Sequence, residues 1–568
     1  FPDTAFDFGG GYRIGMPFFI PVIYDDDRIQ FNENISKLKG DHSFKAGVEY
    51  NDVTSSQTFI GFANGLYKFS SFAGFKNYVE IGPSYVECAN DDFSVFSTSN
   101  DGTCPAGTGI VGPLLLFLQQ AGVGGLTVEQ AGTQNIEQTE TAVFFQDSWK
   151  PTSNMTVDYG LRWEGVDQPE VITPPSEVFF APFIGQTRDT TLGPMEFPSD
   201  GTIPDDMEQW QPRLALAWTP KSDSSKVFRA NSGIYHARIP ALALASTRST
   251  NGSIGQTLFA ASFFRPPSWP DLLPEGAAGD PFFPNVYVFD KNFETPRTWS
   301  SAVSWEQEIA PGYAFLAKVN YAKTDHITRW INNNDPLMGC PWASGLGPDG
   351  SNGINCAADG GLWTTSSNAK SRYWGVTVGI NKRFSDNFAF QAYYTNSEDK
   401  SDDDNERDPF TLRYANISNL DAEFGLSDRH QENRFNAWLL WAAPRGINVN
   451  VRTTFLDAQP LDINPDGTSV AAFPPSSRCI GGCTVGGDVF RRNQGKKDNE
   501  FFTVDVRLSK DFAAGGYTVE PIFEIFNLTD EANFLVPEVT NLIFNFDGTV
   551  RSGAGDPRKF QIGVRVVK

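Results

Sequence analysis

Long stretches of this sequence alternate apolar and polar residues with a period of two. In Met155–Glu164, Val157, Tyr159, Leu161 and Trp163 are apolar, while Thr156, Asp158, Gly160, Arg162 and Glu164 are polar or small. Phe502–Ser509, Phe44–Asn51, Trp374–Asn381 and the final Phe560–Lys568 repeat the pattern. Successive side chains on a strand point to opposite faces, so each segment reads as a strand with one apolar and one polar face. The longest apolar runs, Val111–Leu118 and Phe435–Ala443, fall well short of the ~20 residues a helix needs to cross a bilayer. Helices are thereby excluded as spanning elements. Barrel strands are not, because they alternate and average out to polar.

The strands come in pairs. Short connections rich in Pro, Gly, Asn and Asp occur at Lys39–Asp41, Pro151–Asn154, Lys221–Lys226, Ala310–Gly312, Ser385–Asn387, Pro444–Gly446 and Ala513–Gly516, as hairpin turns require. The connections between hairpins are much longer, roughly 53–137, 167–210, 237–296, 326–369, 400–430, 458–499 and 529–557. Short and long connections alternate without a slip, so one end of the sheet carries turns and the other large loops. About fifteen strands are legible, most near ten to thirteen residues. A β-sandwich and a propeller also alternate, but their strands are about half this length. These are long enough to cross a bilayer at a tilt, and their polar faces carry Asp, Arg, Glu and Lys, which a packed core rejects and a water-filled lumen accepts. The expected fold is all-β, a transmembrane antiparallel β-barrel treated as one unit over residues 1–568.

On this reading Val157, Tyr159, Leu161 and Trp163 face lipid, and Asp158 and Arg162 face the lumen. Trp149 and Trp163 bracket an apolar band: nine tilted residues cover roughly 21 Å, near the ~25 Å height of such a band between aromatic girdles. Trp299 and Trp305 sit on the apolar phase of another strand, though an ordinary core position would also suit any one of these tryptophans.

Aromatic residues make up 14% of the chain, which is wrong for a disordered segment. The net charge of −23 argues against a nucleic-acid partner, since phosphate neutralisation needs clustered cations. Six cysteines fall into local pairs, Cys88 with Cys104, Cys340 with Cys356 and Cys479 with Cys483, each within a Gly/Pro/Asn/Asp-rich loop. An even count so arranged points to disulfides and an oxidising compartment; with four scattered histidines and no CxxC, zinc is the weaker alternative.

No catalytic constellation is present in the sequence. His42, His236, His326 and His430 lie in or beside different hairpins with no HExxH spacing, and the Gly-rich Gly9–Gly11 and Gly122–Gly125 lack a phosphate-loop ending. Neither an enzyme nor a cofactor is therefore expected. The acidic run Glu398–Asp408 contains Asp402, Asp403 and Asp404, the sole metal candidates; calcium-loop spacing is absent, and a solvated acidic loop accounts for the run as well. Leu114–Gln120 reads as a short helix within the first long loop.

FFQDSWKPTSNMTVDYGLRWE (Phe144–Glu164) closely resembles a barrel hairpin of TonB-dependent outer-membrane receptors, in which an aromatic-Gln-Asp-x-Trp run precedes a turn and a Gly-Leu-Arg-aromatic-Glu strand. The resemblance continues in Gln211–Pro220, Val227–Ala237, His42–Tyr50, Phe523–Phe534 and Arg558–Lys568, and together these segments are similar to the Oar-like branch, whose members carry a carboxypeptidase-regulatory-like domain ahead of the plug. It covers the strands and almost none of the loops. The resemblance implies a bacterial outer membrane with short periplasmic turns and extracellular loops, lipid and the TonB complex as partners, and uptake of a substrate the sequence does not name. Family members have a plug and 22 strands, so the chain is expected to be the C-terminal part of a receptor, lacking the plug and N-terminal strands, with residues 8–24 as a sixteenth strand. A passive porin or structural surface barrel is the alternative.

Overall fold

The computed structural model describes residues 4–8, 12–15, 22–59, 62–90, 93–221, 223–239, 241–261, 267–272, 285–343, 353–356, 361–404, 414–467, 483–497, 499–535, 553–554 and 557–568. Its dominant element is one antiparallel barrel wall. In chain order the long strands are β1 (Val22–Lys39), β2 (His42–Phe59), β3 (Thr133–Thr152), β4 (Met155–Asp167) and β5 (Asp206–Trp218). They continue with β6 (Lys226–His236), β7 (Arg297–Ala310), β8 (Tyr313–Asn332), β9 (Leu362–Ser385) and β10 (Phe388–Ser401). The last are β11 (Asn433–Ala443), β12 (Ile447–Leu456), β13 (Phe501–Lys510), β14 (Tyr517–Phe526) and β15 (Lys559–Val567).

The turn chemistry explains the hairpins. Asp386 and Asn387 form the two-residue turn between β9 and β10 with φ of 52° and 68°, the positive pair that matches strand twist and that Asp and Asn tolerate. Gly40, at φ 59°, closes the first hairpin in the same region of backbone space.

Registers fix which side chains share a face. Val143, Trp163 and Trp210 lie opposite one another across β3, β4 and β5, as do Phe145, Leu161 and Pro212. One residue along, Phe144, Arg162 and Gln211 form the row on the other face. Val157, Tyr159, Leu161 and Trp163 thus share the apolar face, and Asp158 and Arg162 the polar one. At the turn end the apolar face carries a chain of rings over four strands, Trp218–Phe228 at 5.6 Å, Phe228–Trp305 at 6.4 Å and Trp305–Phe315 at 5.7 Å. Toward the loop end Trp163 faces Trp210, and Trp299 packs edge-on against Tyr321 at 5.7 Å. Two aromatic belts bounding an apolar band is the pattern a bilayer imposes on a barrel.

Among the described residues, the ladders run residue by residue as a single path along the wall. Fourteen antiparallel pairings lead from β1 through each neighbour to β15. Among the described residues no ladder joins β1 to β15. Exposure agrees: Leu38 and Ile562 on these edges are 80% and 79% exposed, against 46% for Leu161 inside the wall. An even number of antiparallel steps also means that β1 and β15 run in the same direction, from loop end to turn end.

The long connections are folded structures. A five-stranded sheet joins Gly255–Ala261, Leu114–Gly122, Leu66–Phe69, Ala5–Phe8 and Tyr12–Gly15 in that order, with Ala5–Phe8 parallel to Leu66–Phe69. Phe6, Phe8, Tyr67, Phe69 and Phe117 form its aromatic core. Helix α1 (Phe72–Ile81) packs beside it, started by the Gly74 N–H donating to Ser71 Oγ at 2.9 Å. Leu114–Gln120 is therefore a strand, not a helix. It is flanked by partners on both sides, and an apolar run without periodicity suits a doubly buried strand as well as a helix. Among the described residues of 8–24 there is no sixteenth wall strand: 12–15 pair with 5–8 in this sheet, and 22–24 already belong to β1. A second core joins Ile136, Leu244 of α2 (Ala241–Ser249), Tyr287, Phe289, Trp330 and Trp363.

Candidate transport pathway

The polar face is laced with charge. Arg162 Nη2 meets Glu49 at 2.8 Å and its Nε meets Glu164 at 3.1 Å, linking β2 to β4 over the intervening strand. Asn51 Nδ2 donates to Glu140 Oε2 at 2.9 Å, and Arg238 pairs with the same carboxylate. Arg229 pairs with Glu306, and Arg507 lies 3.7 Å from both Glu520 and Glu524. Such partly hydrated pairs contribute little stability each. Their consequence is a hydrophilic face along the wall.

At the loop end the charges are buried. Asp402 pairs with Arg329 at 2.7 Å and accepts the Lys370 N–H at 2.7 Å. Asp403 accepts the Tyr414 hydroxyl. Asp404 pairs with Arg492 at 2.9 Å and accepts from Ser427 Oγ at 2.9 Å and the Asp428 N–H at 2.7 Å. The three adjacent carboxylates thus diverge to three different sets of protein donors. Among the described residues no group of three or more His, Cys, Asp or Glu side chains is arranged to hold a metal ion. Burial works against the charge on Arg492, yet Asp404 and the carboxylates behind it hold its pKa above the ordinary value. Burial first, then Asp403, push the Tyr414 phenol well up. Burial lowers the His430 imidazole, whose Nδ1 accepts the Asp399 N–H at 3.2 Å.

Two disulfides staple the loops. Cys88–Cys104, with a Cα separation of 5.7 Å, pins the three-stranded sheet of Val86–Ala89, Phe96–Ser99 and Gly109–Gly112. Cys340–Cys356 closes a loop of the same sequence separation, 16 residues, with Cα atoms 5.6 Å apart. The Cys479–Cys483 pairing lies outside the described residues.

Sequence reasoning missed Arg329 and Arg492, two of the buried cations of the loop end. No local signal marks them, since Arg492 meets a carboxylate 88 residues earlier.

The sequence matches the family described as "Outer membrane beta barrel domain" over residues 2–462, and the chain belongs to that family. It is an outer-membrane barrel. Among solved structures it is similar to the outer membrane transporter YddB from Escherichia coli, with a TM-score of 0.51, 10% identity, and coverage of 99% of this chain and 58% of that one. It is also similar to the siderophore receptor PiuA from Acinetobacter baumannii (TM-score 0.45, 10% identity, 96% of this chain and 56% of that one). The FrpB iron transporter from Neisseria meningitidis gives a TM-score of 0.46 at 11% identity, over 95% of this chain and 55% of that one. At these identities the likeness is one of fold, and the chain spans little more than half the length of these proteins. No curated protein matches the sequence.

Proposed function

We propose that this chain is the C-terminal barrel portion of a TonB-dependent receptor of the Oar-like branch, without enzymatic activity, which takes up a substrate held by extracellular loops. The observation that carries the reading is that, among the described residues, no ladder joins the two edges of the wall. Unpaired backbone groups inside a bilayer cost several kcal/mol each, so another polypeptide segment fills the gap. Because β1 and β15 run the same way, an all-antiparallel closure takes an odd number of further strands. Seven, the number expected for a 22-stranded receptor, satisfies that condition. In this reading the N-terminal strands and plug complete the barrel, the apolar face meets lipid, and the TonB complex energises passage.

The test is crosslinking in native membranes. With Ile35→Cys and Val564→Cys in one chain, a short bifunctional thiol reagent is expected not to join the two, and a thiol-anchored photoreactive crosslinker is expected to join each to a different segment. A high yield of the crosslink between positions 35 and 564 would mean that the chain closes on itself, and passive diffusion would become the better function.

A further inference from the structure

Large exposed aromatic residues belong on the apolar face of a barrel wall, where lipid covers them. Trp438 breaks that rule. Its partners across the sheet are Gln391 of β10 and Arg452 of β12, and Arg452 in turn faces Asp505. Trp438 therefore stands on the polar face, yet 43% of it is exposed. The ring is also held in place. Trp438 Nε1 donates to Gln391 Oε1 at 3.0 Å, and Gln391 Nε2 donates to the Tyr393 hydroxyl oxygen at 3.1 Å. Tyr393 lies over Gly379, the residue opposite it, where a Cβ would come within 2.1 Å of the ring. Glycine is needed there because the phenol occupies the space a side chain would take. One amide thus fixes two aromatic rings side by side.

Next to this platform a cavity of about 280 Å³ opens along the wall, at the small end of ligand sites. Trp438, Asn450, Arg452, Asp505, Arg507 and Glu524 line it. All six side chains belong to the polar face by register. Two guanidinium groups against two carboxylates leave the lining neutral, so neither an anion nor a cation is selected. What remains is an aromatic and aliphatic surface, to which Phe526, Leu439, Val451 and Val506 also contribute, beside planar groups that donate and accept hydrogen bonds in pairs. A pyranose ring offers the complement, with an apolar C–H face to lie on the indole and equatorial hydroxyls to meet the guanidinium, carboxylate and amide edges. We infer that the inner wall carries a carbohydrate-binding site centred on Trp438. The inference rests on the polar face lining the lumen, and within the uptake reading it names an oligosaccharide as the solute met on the way through.

Saturation-transfer NMR on the full chain, extracted from native membranes in an amine-oxide detergent free of sugar, tests this with maltohexaose, cellohexaose, xylohexaose and chitohexaose. At least one of the four is expected to show transfer to its ring protons. Trp438→Ala should reduce that signal at least fivefold, and Trp438→Phe should keep at least half of it. If Trp438→Ala does not fold, as judged by heat-modifiable gel migration, Arg452→Gln decides the matter with an expected loss of at least threefold. Absence of transfer with all four sugars, or transfer unchanged in the variant that folds, overturns the site. The assay reads binding and not passage, so it can fail while uptake stands, and a bound sugar without energised uptake would spare the site and sink the transport reading.

Discussion

Arg492 and Asp404 come from different long loops, yet their side chains meet at 2.9 Å and are only 4% and 7% exposed. Arg492 also donates to the Ser401 carbonyl at 3.0 Å, so one guanidinium ties the loop after β12 to the end of β10. Removing one partner of such a pair leaves an uncompensated buried charge. Arg492→Met is expected to destabilise the loop assembly by about 3–5 kcal/mol. Thermal unfolding of the variant, compared with Arg492→Met/Asp404→Leu, checks this, because the double variant should recover much of the loss.

The apolar face gives a second prediction. Leu161 lies between Phe145 and Pro212 on the band bounded by the aromatic belts. Leu161→Arg is expected to cost about 2–4 kcal/mol if the site lies at bilayer mid-depth. Asp158→Ala, on the opposite face, should shift stability by about 0.5 kcal/mol or less, as a hydrated position does. Urea titration of refolding into lipid vesicles measures both. Equal losses would mean that the two faces do not see different solvents.

Acid should loosen the loop end through His430. Its folded-state pKa lies below the ordinary 6.5 because of burial, although Glu432, Glu398 and Asp457 pull it up and Lys496 pushes it down. A depressed imidazole means that the unfolded chain takes up the proton first, so the His430 contribution is full above about pH 6.5 and is lost as pH falls below it, whereas the Asp399 carboxyl, raised to about 6 by burial and then by Asp404, favours the folded state as it protonates. Protonation also removes the acceptor for the Asp399 N–H. In an Asp399→Asn background, which removes the opposing titration, limited proteolysis within 402–432 should be faster at pH 5.5 than at pH 7.5, and His430→Gln, which retains an acceptor, should flatten the difference.

Reduction should act locally. Cys88–Cys104 closes a ring of similar size to the ~15 residues for which chain entropy gives about 3 kcal/mol. Cys104→Ser is expected to expose the Val86–Gly112 segment to protease while leaving the wall strands protected. Simultaneous cleavage of wall and loop would show that the staple supports more than its own sheet.

The wall was legible in the sequence because each strand advertises itself locally. Val157 to Trp163 alternate whatever the rest of the chain does, and Asp386–Asn387 specifies its turn without help. The loop end was not legible, for the opposite reason. Leu114–Gln120 carries no periodicity because Leu66–Phe69 and Gly255–Ala261 cover it from both sides, and those partners are distant in sequence. Asp402, Asp403 and Asp404 read as one acidic run, and nothing near them announces Arg329 or Arg492. Trp438 sits inside a locally apolar segment, so its place on the polar face emerges only once Arg452 and Asp505 are found opposite it.

The common direction of β1 and β15 also constrains how two copies could meet. Two copies inserted the same way up can meet along these edges only as parallel neighbours, whichever edges come together. Each of the fifteen long strands is antiparallel to the next along the wall, the wall's parallel contact among the described residues being the four-residue one between Val286–Phe289 and the start of β9, and parallel pairing is slightly less stable per residue. An exposed edge is ordinarily an invitation to fibre or ladder formation. Here the invitation is addressed to strands of the opposite polarity, which a like-oriented sister molecule cannot offer.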